Sequence, residues 1–503
     1  MAERVRIGVI DLIARRPVAS AYTRLVYPSF ASIMPQAVAA WAEALGHEVR
    51  YLSYTGREDL DAFGEDVDLV FISAFTQAAY LAYALSNRLR GAGVVTALGG
   101  PHARAYAEDA RLHFDYVLGL TDEVLVRDLL TDFAPQRERG LVLGAERPPT
   151  ELPGVRERWR FIEGTVAKGL VFCGVPILGS VGCPYHCSFC IDSQFDYRPL
   201  AHDRIKEDLT FLRTVQRRPL VIWHDPNFGV RFDETIGLIE SVARPGSMRF
   251  VAESSLSLLN ETRLAALGRN GFLGLIVGIE SWFGFNDKTR QGRRSGFEKV
   301  EAVAERVNGI ARHIPYVQTN FVWGLDGDEG ALPFELNRRF VDLAPAAFPS
   351  HSVFTAYGNA TPLGVELAGA DRVLPVPFQL LDTAGLHNVT LRHYTAADFY
   401  GKLADVVGYS YSTRATVRRL RANAHPFASL PRWMNAVRSI ESKRRAGYYR
   451  ELERRFATDR ELQAFAARGT ERAPQLFRRT VRQELGRYYA WLPRSLRAQL
   501  EAA

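Results

Sequence analysis

The stretch that decides the fold is Ser180–Arg198, and within it residues 183–190 read Cys-Pro-Tyr-His-Cys-Ser-Phe-Cys. The chain has four cysteines, and three of them lie in these eight residues. Thiolates so close in sequence converge on one point, and as soft ligands they suit iron–sulfur clusters, zinc or Cu(I). A four-iron cluster normally takes four cysteines. The fourth, Cys173, lies in the apolar run Leu170–Leu178, which predicts a strand that uses it for packing. The spacing therefore predicts a metal site with one open position, where a substrate or cofactor can bind.

Zinc and disulfides are the alternatives for these cysteines. His186 lies between the first two cysteines and could complete a Cys₃His zinc site. Zinc sites usually join two separated ligand pairs, whereas one compact group joins nothing, so the spacing disfavours zinc. Four cysteines in 503 residues, with no signal peptide, indicate a reducing cytosol rather than disulfides.

The pattern Cys-x₃-Cys-x₂-Cys resembles the signature of radical S-adenosylmethionine (radical SAM) enzymes, and Phe189 before the last cysteine fits it. The resemblance implies a 4Fe–4S cluster held by Cys183, Cys187 and Cys190, whose fourth iron chelates SAM. An electron passed to the sulfonium would give methionine and a 5′-deoxyadenosyl radical, which takes hydrogen from an unactivated carbon. An external electron donor of the flavodoxin or ferredoxin type is implied as well.

Length and charge bound the other possibilities. A chain of 503 residues is too long for one core, so two or three domains are expected. No stretch approaches 18 uninterrupted apolar residues, which predicts no membrane span. The N-terminus runs directly into a predicted strand, so we expect a cytoplasmic protein.

The net charge of +7 is uneven, with +13 over residues 411–503 and −6 elsewhere. Such asymmetry can indicate nucleic acid, a membrane surface or an anionic substrate. Solvated faces of arginine-rich helices are the favoured explanation, and nucleic acid is disfavoured.

Residues 1–145 alternate strand and helix, which predicts a Rossmann-like domain with a parallel sheet covered on both faces. Ligands of such sheets lie beyond the carboxyl ends of the strands. The predicted strands are Val5–Ile10, Glu48–Leu52, Val67–Ser73, Val94–Leu98 and Tyr116–Leu118, and the predicted helices are Ser32–Leu45, Ala78–Arg90 and Glu123–Leu130.

This segment is similar to the cobalamin-binding (B12) domain that precedes the barrel in one radical SAM subgroup. The resemblance implies that cobalamin is contacted by the small and polar residues at the strand ends, namely Ser73, Phe75, Thr76, Gly99, Gly100 and His102. Two departures are present. No Asp-x-His-x-x-Gly occurs, so no histidine is offered as lower cobalt ligand, and Gly119–Glu123 replaces the usual Gly-Glu-Gly-Glu. A domain of this type that binds no cobalamin stays open as an alternative.

Residues 146–169 are predicted as a linker, because three prolines and the charged run Arg156–Arg160 break the periodicity. Residues 170–375 again alternate, which predicts an open, partial (β/α)₆ barrel with its chemistry at the carboxyl ends of the strands. The predicted strands are Val175–Gly179, Leu220–Trp223, Arg249–Glu253, Gly274–Ile279, Tyr316–Val322 and His351–Thr355, and the predicted helices are Ala201–Gln216, Phe232–Ala243, Asn260–Asn270, Gly296–His313 and Leu332–Leu343.

Polar residues and glycines near the ends of these strands resemble the SAM-binding positions of the family. By this resemblance, Glu253 and Ser255 lie near the ribose and methionyl part of SAM, and Glu280 near its ribose or amino group. The Gly324 turn would lie near adenine, and Phe189 and Asn320 complete the implied SAM site. No catalytic residue beyond these cofactor contacts is implied.

Residues 376–503 read as amphipathic, arginine-rich helices with interleaved aromatics, which favours a helical region that caps the barrel. A basic surface for a carrier or a lipid headgroup is the alternative there. The favoured hypothesis for the chain is a cobalamin-dependent radical SAM C-methyltransferase that acts on an unactivated carbon of a small, conceivably anionic, molecule in specialised metabolism. A cobalamin-independent radical SAM enzyme for cyclisation, ring contraction, oxidation or C–C coupling comes second. A non-catalytic iron–sulfur protein comes third.

Overall fold

A computed structural model describes residues 4–17, 32–63, 66–133, 140–167, 174–382, 385–423, 429–468 and 472–501. Cys173, and with it the first part of the predicted strand Leu170–Leu178, lies outside the described residues. The described residues form two six-stranded parallel sheets and a C-terminal group of helices. No described helix is long and apolar enough to cross a membrane.

The first sheet has the strand order β2-β1-β3-β4-β5-β6 and is parallel throughout. Its strands are β1 (Arg6–Leu12), β2 (Glu48–Tyr54), β3 (Leu69–Ala74), β4 (Val95–Gly99), β5 (Tyr116–Leu118) and β6 (Leu141–Leu143). The helices of this half are α1 (Ile33–Ala44), α2 (Ala79–Gly91), α3 (Pro101–Ala105), α4 (Ala107–Ala110) and α5 (Glu123–Thr131). One apolar cluster packs α1 and α5 on one face, and a second packs α2 on the other, so the Rossmann-like prediction is confirmed.

The segment before the second sheet is more structured than the sequence predicts. Strand β6 extends the first sheet, and helix α6 (Val155–Val166) lies within the predicted linker. Prolines and charged residues obscure the helical periodicity of α6 in the sequence, but tertiary contacts stabilise the helix. Arg158 donates to Gln36 Oε1 at 2.9 Å, and Asp208 Oδ1 accepts from Val155 N at 2.5 Å. Because neither partner is local, the periodicity of residues 146–169 alone could not predict this helix.

The second sheet has the order β14-β13-β12-β11-β10-β7, which is six parallel strands of a half-open barrel. Its strands are β7 (Val175–Ile177), β10 (Leu220–Trp223), β11 (Arg249–Ser254), β12 (Phe272–Glu280), β13 (Tyr316–Trp323) and β14 (Phe348–Val353), and the short pair β8 (Ser180–Val181) and β9 (Arg198–Pro199) is separate. Its helices are α7 (His202–Val215), α8 (Phe232–Val242), α9 (Glu261–Arg269), α10 (Asn286–Thr289), α11 (Gly296–His313), α12 (Leu332–Leu343) and α13 (Pro362–Gly369). The predicted (β/α)₆ order is thus confirmed, although β14 begins three residues earlier than predicted.

The C-terminal region is helical, as predicted. It comprises α14 (Ala396–Ser410), α15 (Thr413–Ala422), α16 (Ser429–Thr458), α17 (Arg460–Ala466), α18 (Gln475–Leu485) and α19 (Arg494–Glu501). Three of its side chains cover the open edge of β14. Arg419 Nε, Tyr411 Oη and Arg445 Nη1 donate to the carbonyl oxygens of residues 347, 349 and 351 at 2.6, 2.9 and 2.9 Å. Alternate carbonyls of an edge strand point away from its neighbour, so this region satisfies the edge that the unclosed barrel leaves.

Candidate functional site

The cysteine loop follows β7 and is closed by hydrogen bonds of its own. Gly182, directly before Cys183, has φ +70°, and a Cβ there would collide with the Asp196 carbonyl oxygen. Cys183 N donates to the Phe195 carbonyl at 3.1 Å. Ser193 Oγ bonds the carbonyl oxygens of Cys187 and Cys190 at 2.7 and 2.8 Å. Hydrogen bonds within the loop therefore help to fix its shape.

The three thiols of the loop are free and lie near one another. Cys183 and Cys187 are buried and Cys190 is half-buried. Burial raises the pKa of Cys187 to about 11, with the other two thiols adding to the effect and Lys288 opposing it. Among the described residues, no three His, Cys, Asp or Glu side chains gather around one point as ligands of a single ion do. Thiols that each bind a different iron of a cluster need no such common point, and the ring of His186 is exposed.

The base of the cysteine loop is tied to the next strand by a buried carboxylate. Asp225 follows β10 and accepts from Gly179 N at 2.5 Å and from Ser180 Oγ at 2.9 Å. Burial raises its pKa to about 6, against these hydrogen bonds. On the other side of the loop, the hydroxyls of Tyr185 and Ser257 lie 2.5 Å apart. Residues that follow β10 and β11 thus position the cysteine loop at the carboxyl ends of the barrel strands.

Glu280 and Lys288 form an ion pair beside the thiols, with 2.7 Å between Nζ and Oε1. Burial lowers the pKa of Lys288, but the charges of Glu280 and Cys187 outweigh it, so the pKa is raised. Glu280 has a left-handed backbone with φ 66°. A Cβ on Gly278 would overlap the Glu280 carboxylate, so this glycine makes room for the pair. Sequence analysis predicts Glu280 here but misses Lys288. The sequence feature that could have singled out Lys288 is the rarity of lysine, because the chain has six lysines among 63 basic residues.

The other residues expected around SAM are spread over the mouth of the barrel. Glu253 is exposed, yet burial raises its pKa, a combination that places its carboxylate on the wall of a concave interior. Asn320 Oδ1 accepts from Gln318 Nε2 at 2.8 Å. Ser255 is buried, and its N–H donates to Asn227 Oδ1 at 2.9 Å. The ring of Phe189 packs edge-to-face on Phe285, with 5.1 Å between centroids.

Gly324, the remaining residue of that set, directly follows β13 and has φ 93°. A Cβ there would lie 3.3 Å from Leu391 and 3.5 Å from Phe399. Its turn therefore packs against the start of the C-terminal region. That the turn also lies near the adenine of SAM stays a prediction.

The carboxyl end of the first sheet offers a cradle of small groups. A Cβ on Gly99 would meet nothing within 4 Å, whereas one on Gly100 (φ +90°) would lie 2.9 Å from the Ala74 carbonyl and 3.2 Å from Ser73 Oγ. Phe75 is 56% exposed, and Thr76 is buried. An open glycine, a close backbone turn and an exposed ring fit the passage of a long ligand tail along this edge.

His102 does not point into that cradle. Its ring is fully buried, with Nε2 2.7 Å from the Tyr83 hydroxyl and Phe378 packed against it. The whole residue is buried, so the expected contact between His102 and cobalamin is not made in this arrangement. Helix α3 turns the ring into the core because the residue lies one position after the helix-starting Pro101.

The cradle and the cysteine loop face each other across one interface. The guanidinium of Arg104 lies 5.1 Å from the ring centroid of Phe195, and Tyr106 Oη donates to the Ala356 carbonyl at 3.1 Å. Gly358 approaches the Ala105 carbonyl so closely that a Cβ would overlap it. The carboxyl ends of both sheets thus meet near the cysteines.

No family model matches the chain. Among curated proteins, it is 24% identical over 322 residues to the bacteriochlorophyllide d C-12(1)-methyltransferase of Chlorobaculum tepidum, a match that spans 63% of this chain and 69% of that one. It is 25% identical over 301 residues to an uncharacterized methyltransferase of Pyrococcus horikoshii, which covers 51% of this chain and 65% of that one.

Two solved structures share this architecture. The methyltransferase TsrM from Kitasatospora setae, solved with cobalamin and a [4Fe-4S] cluster, superposes with a TM-score of 0.57 at 14% identity and covers 88% of this chain and 100% of that one. The cobalamin-dependent radical enzyme OxsB, solved with aqua-cobalamin and SAM, superposes with a TM-score of 0.56 at 12% identity over 99% of this chain and 80% of that one.

Proposed function

We propose that this chain, which has the fold of the cobalamin-dependent radical SAM enzymes, is a C-methyltransferase acting on an unactivated carbon of a small molecule. The observation that carries the proposal is the opposition of the cysteine loop and the glycine cradle across the contact between Tyr106 and Ala356. The sequence relationship to methyltransferases supports the same reaction class. Free buried thiols suit a reducing cytoplasm.

In this proposal each part of the site has its own task. Cys183, Cys187 and Cys190 hold the cluster, and Phe189, Glu253, Ser255, Glu280, Asn320 and Gly324 surround SAM. Ser73, Phe75, Thr76, Gly99 and Gly100 hold cobalamin. When bound, these groups supply a hydrogen-abstracting radical and a transferable methyl group. The chain itself orients them and, through the closed interface at Tyr106, keeps water away from the radical.

The proposal includes an electron carrier of the flavodoxin or ferredoxin type but no anionic group on the substrate. The positive charge of residues 411–503 is partly used by the fold, since Arg419 and Arg445 bind carbonyls of β14. Arg450 pairs with Asp405 and Glu453 in the same region. Charge alone therefore does not favour an acidic substrate.

The test is made on protein purified without oxygen, after expression with cobalamin and reconstitution of the cluster. We expect about four irons and about one cobalt per chain, and we expect 5′-deoxyadenosine when SAM and dithionite are added. Iron and SAM cleavage without cobalt would favour a radical enzyme for cyclisation or coupling, which the inward ring of His102 makes the second candidate. Four filled iron sites and no SAM cleavage would indicate an electron-transfer protein.

Cys187→Ala should lose iron and 5′-deoxyadenosine formation while keeping its far-UV circular dichroism. Ser188→Ala is the matched control, because Ser188 is exposed in the same loop and should change neither. A Cys187→Ala protein that still makes 5′-deoxyadenosine at the wild-type rate would overturn the assignment of the cluster.

A further inference from the structure

The loop of residues 281–295, between β12 and α11, carries unusual backbone conformations. Two of its non-glycine residues, Phe285 and Arg290, have φ of 56° and 55°, and Glu280 directly before it has φ 66°. Such a backbone is strained in a non-glycine residue and persists only where its surroundings fix it. Buried Lys299 provides part of this, since its Nζ donates to the Ser281 carbonyl at 2.6 Å and to that of Gly284. The loop is therefore held in one shape.

The inner side of this loop borders the cysteine loop at two points. Phe285 packs on Phe189, which lies between Cys187 and Cys190 in sequence. Helix α10 packs against the turn Leu256–Leu258, whose Ser257 bonds the hydroxyl of Tyr185. A partner on the outside of the loop would thus be separated from the cysteines by one layer of side chains.

The exposed part of the loop is basic and aromatic. Arg290, Arg293 and Arg294 are exposed within five residues. Phe283 is 37% exposed and Phe297 is 57% exposed. We call these five residues the Arg290 patch. Asp287 and Glu298 are the exposed acids within the same stretch, so the arginines are in excess.

We propose that the Arg290 patch is the docking surface for the acidic protein that reduces the cluster; this rests on the proposed function. One electron leaves the reduced carrier for each SAM that is cleaved. That electron ends in the C–S bond of the sulfonium, which breaks to methionine and a 5′-deoxyadenosyl radical. The carrier, a small flavin or iron–sulfur protein with an acidic face, is oxidised by one electron.

Two properties of the patch match such a partner. Opposite charges around an interface steer encounter and set the association rate. Exposed aromatic rings among arginines are the residue types enriched in protein interfaces. Transient electron-transfer contacts are also small, which a five-residue patch can serve.

The test separates docking from chemistry by changing the reductant. The variant reverses three charges, Arg290→Glu, Arg293→Glu and Arg294→Glu. The control reverses three exposed arginines of the C-terminal helices, Arg479→Glu, Arg482→Glu and Arg494→Glu. For each reconstituted protein, binding of oxidised, acidic flavodoxin is measured by calorimetric titration at low and high KCl, and the patch variant should bind it about tenfold more weakly at low salt. Formation of 5′-deoxyadenosine is then followed with dithionite, and separately with increasing amounts of enzymatically reduced flavodoxin at the same two salt concentrations.

At low salt, we expect the patch variant to need at least about tenfold more flavodoxin than the wild type for the half-maximal rate of 5′-deoxyadenosine formation. Its rate with dithionite should be unchanged. The control should behave as the wild type, whose flavodoxin-driven rate should fall with KCl. An unchanged flavodoxin dependence in the patch variant would overturn the proposal. If that variant instead loses binding to anionic phospholipid vesicles, the patch binds lipid rather than an electron carrier, and the proposal is overturned as well. An equal loss with both reductants would also overturn it, because the loop would then be shaping the SAM site. If the wild type itself makes no 5′-deoxyadenosine with dithionite, the proposed function fails, whatever the patch does.

Discussion

At the scale of single residues, the ion pair of Glu280 and Lys288 is the most sensitive element of the site. Both side chains are largely buried, so removing one partner leaves an uncompensated charge. We expect Lys288→Met to lower the free energy of unfolding of the metal-free protein by about 3–5 kcal/mol. Adding Glu280→Gln should restore most of it. Urea titration of the single and double variants measures this, and a double variant less stable than the single one would contradict it.

Asp11 gives a prediction about pH. It is the last residue but one of β1, and it is buried. Burial raises its pKa to about 7, against hydrogen bonds with Ser32 and Tyr51. The folded protein therefore binds this proton more tightly than the unfolded chain, so stability should fall as pH rises from about 4 to about 7. Asp11→Asn should remove that fall. Urea midpoints from pH 4.5 to 7.5 test it, and parallel curves for the two proteins would be evidence against it.

The sequence predicts residues whose chemistry is local and misses those placed by folding. The three cysteines and the turn at Gly99 and Gly100 can be predicted because spacing and glycine carry the information. Lys288 cannot, because its partner is set by the left-handed backbone at Glu280. The inward ring of His102 escapes prediction for a similar reason: the register of α3 decides which way it points.

At the scale of elements, the cysteine loop depends on one glycine. Gly182→Ala would introduce both a strained backbone and a collision with the Asp196 carbonyl. We expect a protein that keeps its helical content but retains less than about half of the reconstituted iron, because the loop must open to relieve the strain. Gly237→Ala in α8 is the control, since a Cβ there meets nothing within 4 Å. Equal iron in both variants would contradict the expectation.

The regular elements of both sheets are predictable because parallel β/α units repeat with buried strands and amphipathic helices. Leu220–Trp223 and Gly296–His313 have the predicted bounds. The misses, β6 and α6, are elements whose stability comes from distant partners. β6 has three residues and pairs only with β5, and α6 relies on Gln36 and Asp208.

At the scale of the whole molecule, the C-terminal region completes the barrel. Tyr411→Phe removes one donor and leaves the Pro349 carbonyl buried without it. We expect a loss of about 1–3 kcal/mol in unfolding free energy. Tyr394→Phe is the control, because its hydroxyl bonds the Gly330 carbonyl at an exposed site. Equal effects in guanidinium titrations would show that the edge contacts add no stability.

The cover over β14 has a consequence for how the chain is made. The cysteines emerge from the ribosome early, but Tyr411, Arg419 and Arg445 are synthesised only after the last strand. Until then the nascent half-barrel presents bare carbonyls, and unpaired strand edges recruit other chains. Slow translation or premature termination within the last ninety or so codons should therefore yield aggregates. Iron loading would belong to the finished polypeptide, which makes full-length synthesis, rather than iron supply, the first variable to control when producing this protein.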